Sequence, residues 1–382
     1  ENMLEKILAE DFGPIYENTE ISFQKGKTSD EYGNFNIIEN TDLLKTVFFY
    51  GSNNSGKSQV LKLIGFLKDI IELGKDVFSG ARYFANVYVG KTETTAVEAY
   101  SRHTRISYFF LINNSKYIYE LEICFGEKKI YKEILKKNSE IVFERNKSKV
   151  NISHAEIDSD IFYLTHQVSK EGGNEAIKEV YNYIKSIVFI NPETDCGEIR
   201  KLNSLQIEKV EKNLQAINEI LKKFGFDFKL RVIENKNLSR EKEVYTVKEK
   251  IRSRFGLLES FGTECFLKLL IEIINTDSDT IVIDEVERGL NFEILSEFIK
   301  YLNKIFPQKQ FIYAIHMNDL LEEDYRKDQF YITEIKESKL VLKRAFDSEK
   351  YRKTHNFRKI YTSGAVGGIA DIQETGDKAD EQ

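Results

Sequence analysis

Eight consecutive residues constrain this chain more than any others. Gly51-Ser52-Asn53-Asn54-Ser55-Gly56-Lys57-Ser58 matches the pattern G-x-x-x-x-G-K-[S/T] in full. Its flanks fit it. Thr46-Val47-Phe48-Phe49-Tyr50 is a short β-branched and aromatic run, the mark of a strand buried on both faces. After the loop, Val60, Leu61, Leu63, Ile64, Leu67, Ile70 and Ile71 recur at helical spacing. Strand, glycine-bounded loop and helix in that order converge backbone N–H groups on phosphate at the positive end of a helix. Lys57 is placed to reach the β- and γ-phosphates, and the Ser58 hydroxyl to ligate Mg2+. The expected nucleotide-binding residues are Gly51, Ser52, Asn53, Asn54, Ser55, Gly56, Lys57, Ser58 and Gln59. A guanine-specifying N-K-x-D is missing, since Asn235-Lys236-Asn237-Leu238 ends in leucine, so ATP is the expected nucleotide.

A second apolar run, Thr280-Ile281-Val282-Ile283, delivers Asp284-Glu285 at its C-terminal end, where ligands bind in open α/β sheets. Asp284 is expected in the magnesium shell, and Glu285 is expected to polarise the attacking water. Residues 255–274 and 292–305 read as helices and 310–315 as another buried strand. This βαβα alternation implies a parallel sheet. Elsewhere the period is that of strands. Residues 7–12 lead into the turn Gly13-Pro14, and Ile21 and Phe23 continue the extended pattern. Residues 108–112 and 117–125 form a hairpin about Asn113-Asn114, extended by 130–135 and 141–143. The basic residues along it (Lys128, Lys129, Lys132, Lys136, Lys137, Arg145, Lys147, Lys149) read as a solvated, aggregation-resistant edge. Ile207, Val210, Leu214, Ile217 and Leu221 predict one amphipathic packing helix that stops at Gly225. The last residues, 371–382, are polar, acidic and expected to fray.

Composition bounds the function classes. The 382 residues, 41% hydrophobic, supply a sizeable core in one large domain or two to three ordinary ones. The 56 basic and 62 acidic side chains leave a net charge of −6, which suits a cytoplasmic protein and argues against a general nucleic-acid coat. Cys124, Cys196 and Cys265 stand far apart without a CxxC pair, so neither a disulfide framework nor a zinc site is expected. No apolar run approaches the roughly 20 residues that span a bilayer, and the opening residues lack a secretory pattern; no membrane partner is expected. His103, His154, His166 and His355 show no ligand spacing, so no metal beyond Mg2+ is expected.

With these residues in place the chain resembles the ABC-class ATPases, specifically the compact AAA-type, OLD-related group of prokaryotic defence and toxin–antitoxin operons. SMC, RecF and double-strand-break-repair ATPases carry related heads. Asp11-Phe12-Gly13-Pro14-Ile15 looks like the opening strand of the group, and Asn53 to Ser58 is similar to its N-x-S/A-G-K-S loop. Residues 117–145 resemble its strand-rich arm. Glu259-Ser260-Phe261-Gly262-Thr263 looks like the S-x-G-T signature. Asp284-Glu285-Val286-Glu287-Arg288-Gly289-Leu290 is similar to D-E-x-E-x-x-L, whose last part is the D-loop. His316 ends a strand as the switch histidine does. Residues 327–331 and 361–368 resemble the closing segments. Asn291-Phe292 stands where the group usually has His-Pro, and Ile315 replaces the usual threonine.

The resemblance implies an α/β fold: an ABC-type ATPase head with a P-loop parallel sheet, an N-terminal antiparallel β arm and a helical subdomain. It divides the chain into a first lobe (1–200), a helical signature-side insertion (201–250), a second lobe (251–345) and a C-terminal extension (346–382). It implies that Ser260 and Gly262 serve the γ-phosphate of a second copy's ATP, so that a homodimer sandwiches the nucleotide. His316 is then a γ-phosphate sensor, since a neutral imidazole can donate one hydrogen bond there. The function implied is a Mg2+-dependent ATPase that regulates or scaffolds a separately encoded effector, a nuclease among the candidates, in antiphage defence. The alternative is a RecF-like, DNA-binding repair ATPase; net charge does not indicate it, but the lysines of 128–149 keep it open. A transporter nucleotide-binding subunit ranks third. No nuclease, protease or deaminase centre stands out, and the docking surfaces expected for an effector are residues 117–149 and 207–221.

Overall fold

The computed structural model of the chain describes residues 2–26, 36–79, 83, 101–151, 156–168, 173–191, 202–234, 242–322, 325–345 and 357–362. The chain opens with β1 (Asn2–Glu10) and β2 (Thr19–Ser22), then β3 (Thr46–Tyr50) and α1 (Lys57–Leu73). Five strands follow: β4 (Thr104–Ile112), β5 (Ser115–Cys124), β6 (Lys129–Lys137), β7 (Glu140–Asn146) and β8 (Lys149–Val150). Next come α2 (Tyr163–Val168), α3 (Glu175–Ser186), β9 (Val188–Ile190), α4 (Ser204–Lys212) and α5 (Leu214–Lys223). A small antiparallel sheet of β10 (Lys229–Glu234), β11 (Lys242–Lys248) and β12 (Ile251–Arg254) precedes α6 (Phe261–Ile274). The alternation then runs β13 (Thr280–Asp284), α7 (Phe292–Ile305), β14 (Gln310–Ile315), β15 (Phe330–Lys336), β16 (Lys339–Arg344) and α8 (Phe357–Thr362).

The central sheet has the order β16-β15-β3-β14-β13-β9, parallel from β15 to β9 and antiparallel only at β16. Its strands are continuous apolar runs because both faces are covered. Val47, Phe49, Val282, Ile312 and Ala314 enter one core with α1, α3 and the antiparallel arm. Their neighbours Phe48, Tyr50, Ile281, Ile283, Phe311, Tyr313 and Ile315 enter a second core with α5, α6 and α7. The period of two thus assigns alternate residues of each strand to opposite layers.

The arm is larger than the hairpin read from sequence. It is a seven-stranded antiparallel sheet, β2-β1-β4-β5-β6-β7-β8. The hairpin turns are where expected: Asn113 and Asn114 both take positive φ (49° and 60°), which suits a two-residue turn between twisted strands. The sheets are stitched together by side chains. Gln310 of β14 accepts from Leu4 N (3.2 Å) and donates to Leu4 O (3.0 Å), and Tyr108 of β4 donates to Leu63 O in α1 (2.7 Å). The segment around 327–331 acts as a bolt. Arg326 grips the buried Asp328 carboxylate through Nε and Nη2 (3.0 and 2.6 Å), and Gln329 donates to Thr46 O at the start of β3 (2.8 Å).

Three sequence expectations need correction. The stripe over 207–221 is two helices rather than one, divided at Asn213, whose φ and ψ of −117° and 23° leave the helical region and whose amide donates to Asn275 Oδ1 (2.8 Å). Helix α6 begins at Phe261, not near 255. The residues before it form β12 and a turn in which Glu259 accepts from Gly256 N (2.7 Å) and Thr246 Oγ1 (2.6 Å). Arg145 is not part of a solvated edge. It is fully buried beside Glu133, which also accepts from Tyr163 N (2.7 Å), Leu164 N and Tyr119 Oη (2.9 Å each). Lys128, Lys129, Lys147 and Lys149 are exposed on the arm and Lys132, Lys136 and Lys137 half-buried, with ion pairs from Lys136 to Glu120 (2.6 Å), Lys137 to Glu179 (2.9 Å) and Lys129 to Glu127 (3.2 Å). Residues 235–238, 363–368 and 371–382, with Cys196, His154 and His355, lie outside the described residues. Among the described residues no helix is long and apolar enough to cross a membrane.

Candidate nucleotide site

The sheet order brings the site together. Tyr50 at the end of β3 pairs with Ile315 of β14, and Ala314 pairs with Asp284 of β13. The loop after β3, the acid pair ending β13 and His316 after β14 therefore share one carboxyl edge of the sheet, the place where open α/β sheets bind ligands.

The loop from 51 to 56 leads straight into α1. Gly56 is the residue before the helix, with φ 98°, a backbone that disfavours a side chain; a Cβ there would also stand 2.5 Å from Leu340 Cδ1, whose tip would have to move. Asn53 and Asn54 lie exposed at the crest, Asn54 with φ 62°. Ser52 is half-buried. Ser55 is buried, its hydroxyl 2.7 Å from that of Thr333, which donates in turn to Tyr50 O (3.0 Å). Ser58 is exposed in the first turn of α1, and Gln59 reaches back over Gly13 of the opening turn.

Lys57 is almost wholly buried. Its ammonium donates to Gly51 O (2.8 Å) and Ser52 O (2.9 Å) and lies 3.1 Å from His316 Nδ1. Burial pushes its pKa down to about 8, against the pull of Glu287, Asp284 and Glu285. His316 is shifted down for the same first reason, with the Lys57 charge adding to it and the Gly51 carbonyl opposing. An imidazole accepting from Lys57 at Nδ1 is neutral, with its proton on Nε2. Asp284 is pushed up by burial, although the Ser58 hydroxyl hydrogen-bonds to it and pulls the other way. Its Oδ1 is buried with no hydrogen-bond partner. A hydroxyl at the surface joined to a carboxylate with an unused oxygen is a donor set that fits Mg2+, which takes one or two protein oxygens and completes its shell with water and phosphate. Glu285 sits on a left-handed backbone (φ 51°) and accepts from Arg288 Nη1 (3.2 Å). Such a conformation is costly for a side-chain-bearing residue and is concentrated at functional turns.

Ser260 and Gly262 stand apart from this cluster, at the N-terminus of α6. Thr263 N donates to Ser260 Oγ (3.2 Å), capping the helix. Gly262 is pressed on the turn that follows the acid pair; a Cβ on it would meet Gly289 O at 2.0 Å. Beside them Leu257, Leu258 and Phe261 are exposed by 67%, 71% and 45%. Asn291, where the resemblance has histidine, caps α7 by accepting from Ile294 N (2.9 Å). One residue was missed in the sequence. Glu287 accepts the backbone N–H of His316, and burial raises its pKa to about 7. Its signal in the sequence was the second glutamate of the D-E-x-E-x-x-L run, to which no role was given.

A family model described as "AAA domain, putative AbiEii toxin, Type IV TA system" matches residues 47–316. No curated protein matches the sequence. Among solved structures, the chain is similar to an SMC head bound to the C-winged helix domain of ScpA (TM-score 0.55, 13% identity, covering 91% of this chain and 99% of that one). Less close are an SMC head domain from Thermotoga maritima (TM-score 0.47, 14% identity, 89% and 98% covered) and one from Pyrococcus furiosus. The latter carries an extended coiled coil and is bound to the C-terminal domain of ScpA (TM-score 0.49, 12% identity, 92% and 98% covered). At 13% identity the first likeness shows the fold alone.

Proposed function

The chain belongs to this AAA-domain family, and from that premise we propose that it is a Mg2+-dependent ATPase whose two copies close head-to-head on ATP to regulate a separately encoded effector. The observation that carries the reading is the convergence of Lys57, Asp284, Glu285 and His316 on one sheet edge around a glycine-bounded loop. Lys57 and the N–H groups of 51–58 bind the phosphates; Ser58 and Asp284 hold Mg2+, which neutralises phosphate charge. Glu285, the least confined of the acids, accepts the proton of the attacking water, and its ion pair with Arg288 holds it until then. His316 reports the γ-phosphate by donating from Nε2.

The second copy is supported by a different region. Ser260 caps a helix whose N-terminal N–H groups and exposed Leu257, Leu258 and Phe261 offer a surface for a partner head. The effector is supported by the family's toxin–antitoxin description and by the ScpA domain on a head of similar fold. A defence role follows from that description as a proposal of the same rank.

Lys57→Ala tests the reading. It removes a buried charge that faces the phosphates, an interaction of roughly 1.5–3 kcal/mol or more, so Mg-ATP affinity measured by calorimetry should fall by at least about tenfold. Unchanged affinity would show that the loop is not a nucleotide site.

A further inference from the structure

Glu287 is a half-buried acid at the sheet edge that phosphate binding, Mg2+ ligation and water activation leave without a task. It lies in the turn after Asp284-Glu285, held there by Arg288 N donating to Glu285 O (3.0 Å) and Leu290 N to Glu287 O (2.9 Å). One carboxyl oxygen accepts the backbone N–H of His316. The other is buried and has no hydrogen-bond partner. Facing the group are Lys57 from α1, Glu285 from its own turn, His316 from the end of β14 and the phenol of Tyr50 from β3. The Lys57 ammonium has three protons and three neighbours that use them, Gly51 O, Ser52 O and His316 Nδ1. Lys57 therefore attracts Glu287 across space without bonding it.

We propose that Glu287 is a positioning residue: its carboxyl group holds the main chain of His316 and so sets where the imidazole stands against Lys57. The contact spans two strand ends that no backbone bond of the sheet ladder joins at this level, since the β13–β14 pairing ends at Asp284 and Ala314. Without it His316 is free to follow the loop after β14, and the imidazole moves with it. A neutral carboxyl suits the place better than a carboxylate, because one of its oxygens is shut off from water and meets no donor. Charging it adds an unpaired oxygen beside Glu285. Burial pushes its pKa up to about 7, with Glu285 adding to the rise and its own backbone N–H, the His316 N–H and the Lys57 charge opposing it.

The hydrogen bond belongs to the nucleotide-free chain; only its effect on turnover rests on the ATPase reading. The first test therefore needs no nucleotide. In amide-resolved NMR of the full chain, the His316 N–H should lie downfield and shift with a midpoint near pH 7, separate from any imidazole titration below 6.5. Glu287→Gln keeps the acceptor and cannot ionise, so the downfield position should remain and the midpoint near 7 should vanish. Glu287→Ala should move the resonance upfield at every pH. The second test is turnover. Glu287→Ala should leave KM for ATP near parental and lower kcat by about tenfold or more, while Glu287→Gln restores kcat to within about threefold. Should Glu287→Ala fail to fold, Glu287→Asp, shorter by one methylene, should show the same kcat loss. A His316 amide indifferent to Glu287→Ala or Glu287→Asp, or a midpoint near 7 that survives Glu287→Gln, would overturn the proposal. Absent turnover in the parental chain would instead defeat the ATPase reading and leave the NMR result to decide the role of Glu287.

Discussion

At Lys57 a positive charge is held nearly out of water by two carbonyls and an imidazole, with three carboxyl groups acting from further off. Desolvation wins that contest and brings the pKa to about 8. A base whose folded value is depressed holds fewer protons than the unfolded chain above that pH, and phosphate favours its charged form. Affinity for Mg-ATP should therefore be flat below pH 7 and fall as pH rises through about 8, with proton uptake on binding at pH 9. Calorimetry in two buffers of different ionisation enthalpy reads that uptake; none at pH 9 would mean that Lys57 stays charged. Lys57 was legible from sequence because its setting is local, eight residues long. Glu287 was not, because its partner lies 29 residues away and becomes a neighbour only when β14 is laid beside β13. Arg145 failed in the opposite way. Its basic neighbours suggested solvent, while the acceptors that bury it come from 133, 147, 158 and 161.

The elements that carry the site were the easiest to read and the surrounding helices the hardest. Strands β3, β13 and β14 stand out as unbroken apolar runs because helices or sheet cover both faces. A periodic stripe cannot reveal a break such as Asn213, since the apolar spacing survives on either side of it. The start of α6 depends on Glu259 and Ser260 capping and turning the chain, contacts invisible to periodicity. That helix start carries a prediction. Ser260→Arg should bind Mg-ATP like the parental chain and hydrolyse it poorly, as the proposed head-to-head arrangement, with Ser260 at the neighbour's nucleotide, requires. Mixing it with Lys57→Ala places both defects on one composite site of a heterodimer and leaves the other intact. Hydrolysis should return in part on mixing. Heterodimers that form and stay inactive would count against a site shared between copies.

On the scale of the molecule, the central sheet divides two cores and presents its carboxyl edge, with loop, acids and histidine, to one side. Gly262 pressed against Gly289 links the start of α6 to the turn that carries Glu285 and Glu287. Closing a second head on α6 would therefore bear directly on the acids that act on ATP. In the proposed arrangement this contact would couple assembly to chemistry, and Glu285 would be the residue on which both meet. Glu285→Gln keeps the shape of the side chain but cannot take the water's proton. The decisive measurement is phosphate release and light scattering on this variant with Mg-ATP. Head-to-head closure with Glu285 as the base predicts parental ATP affinity, no measurable phosphate release and a mass near twice that of the monomer while ATP is present. Phosphate release at the parental rate would contradict it.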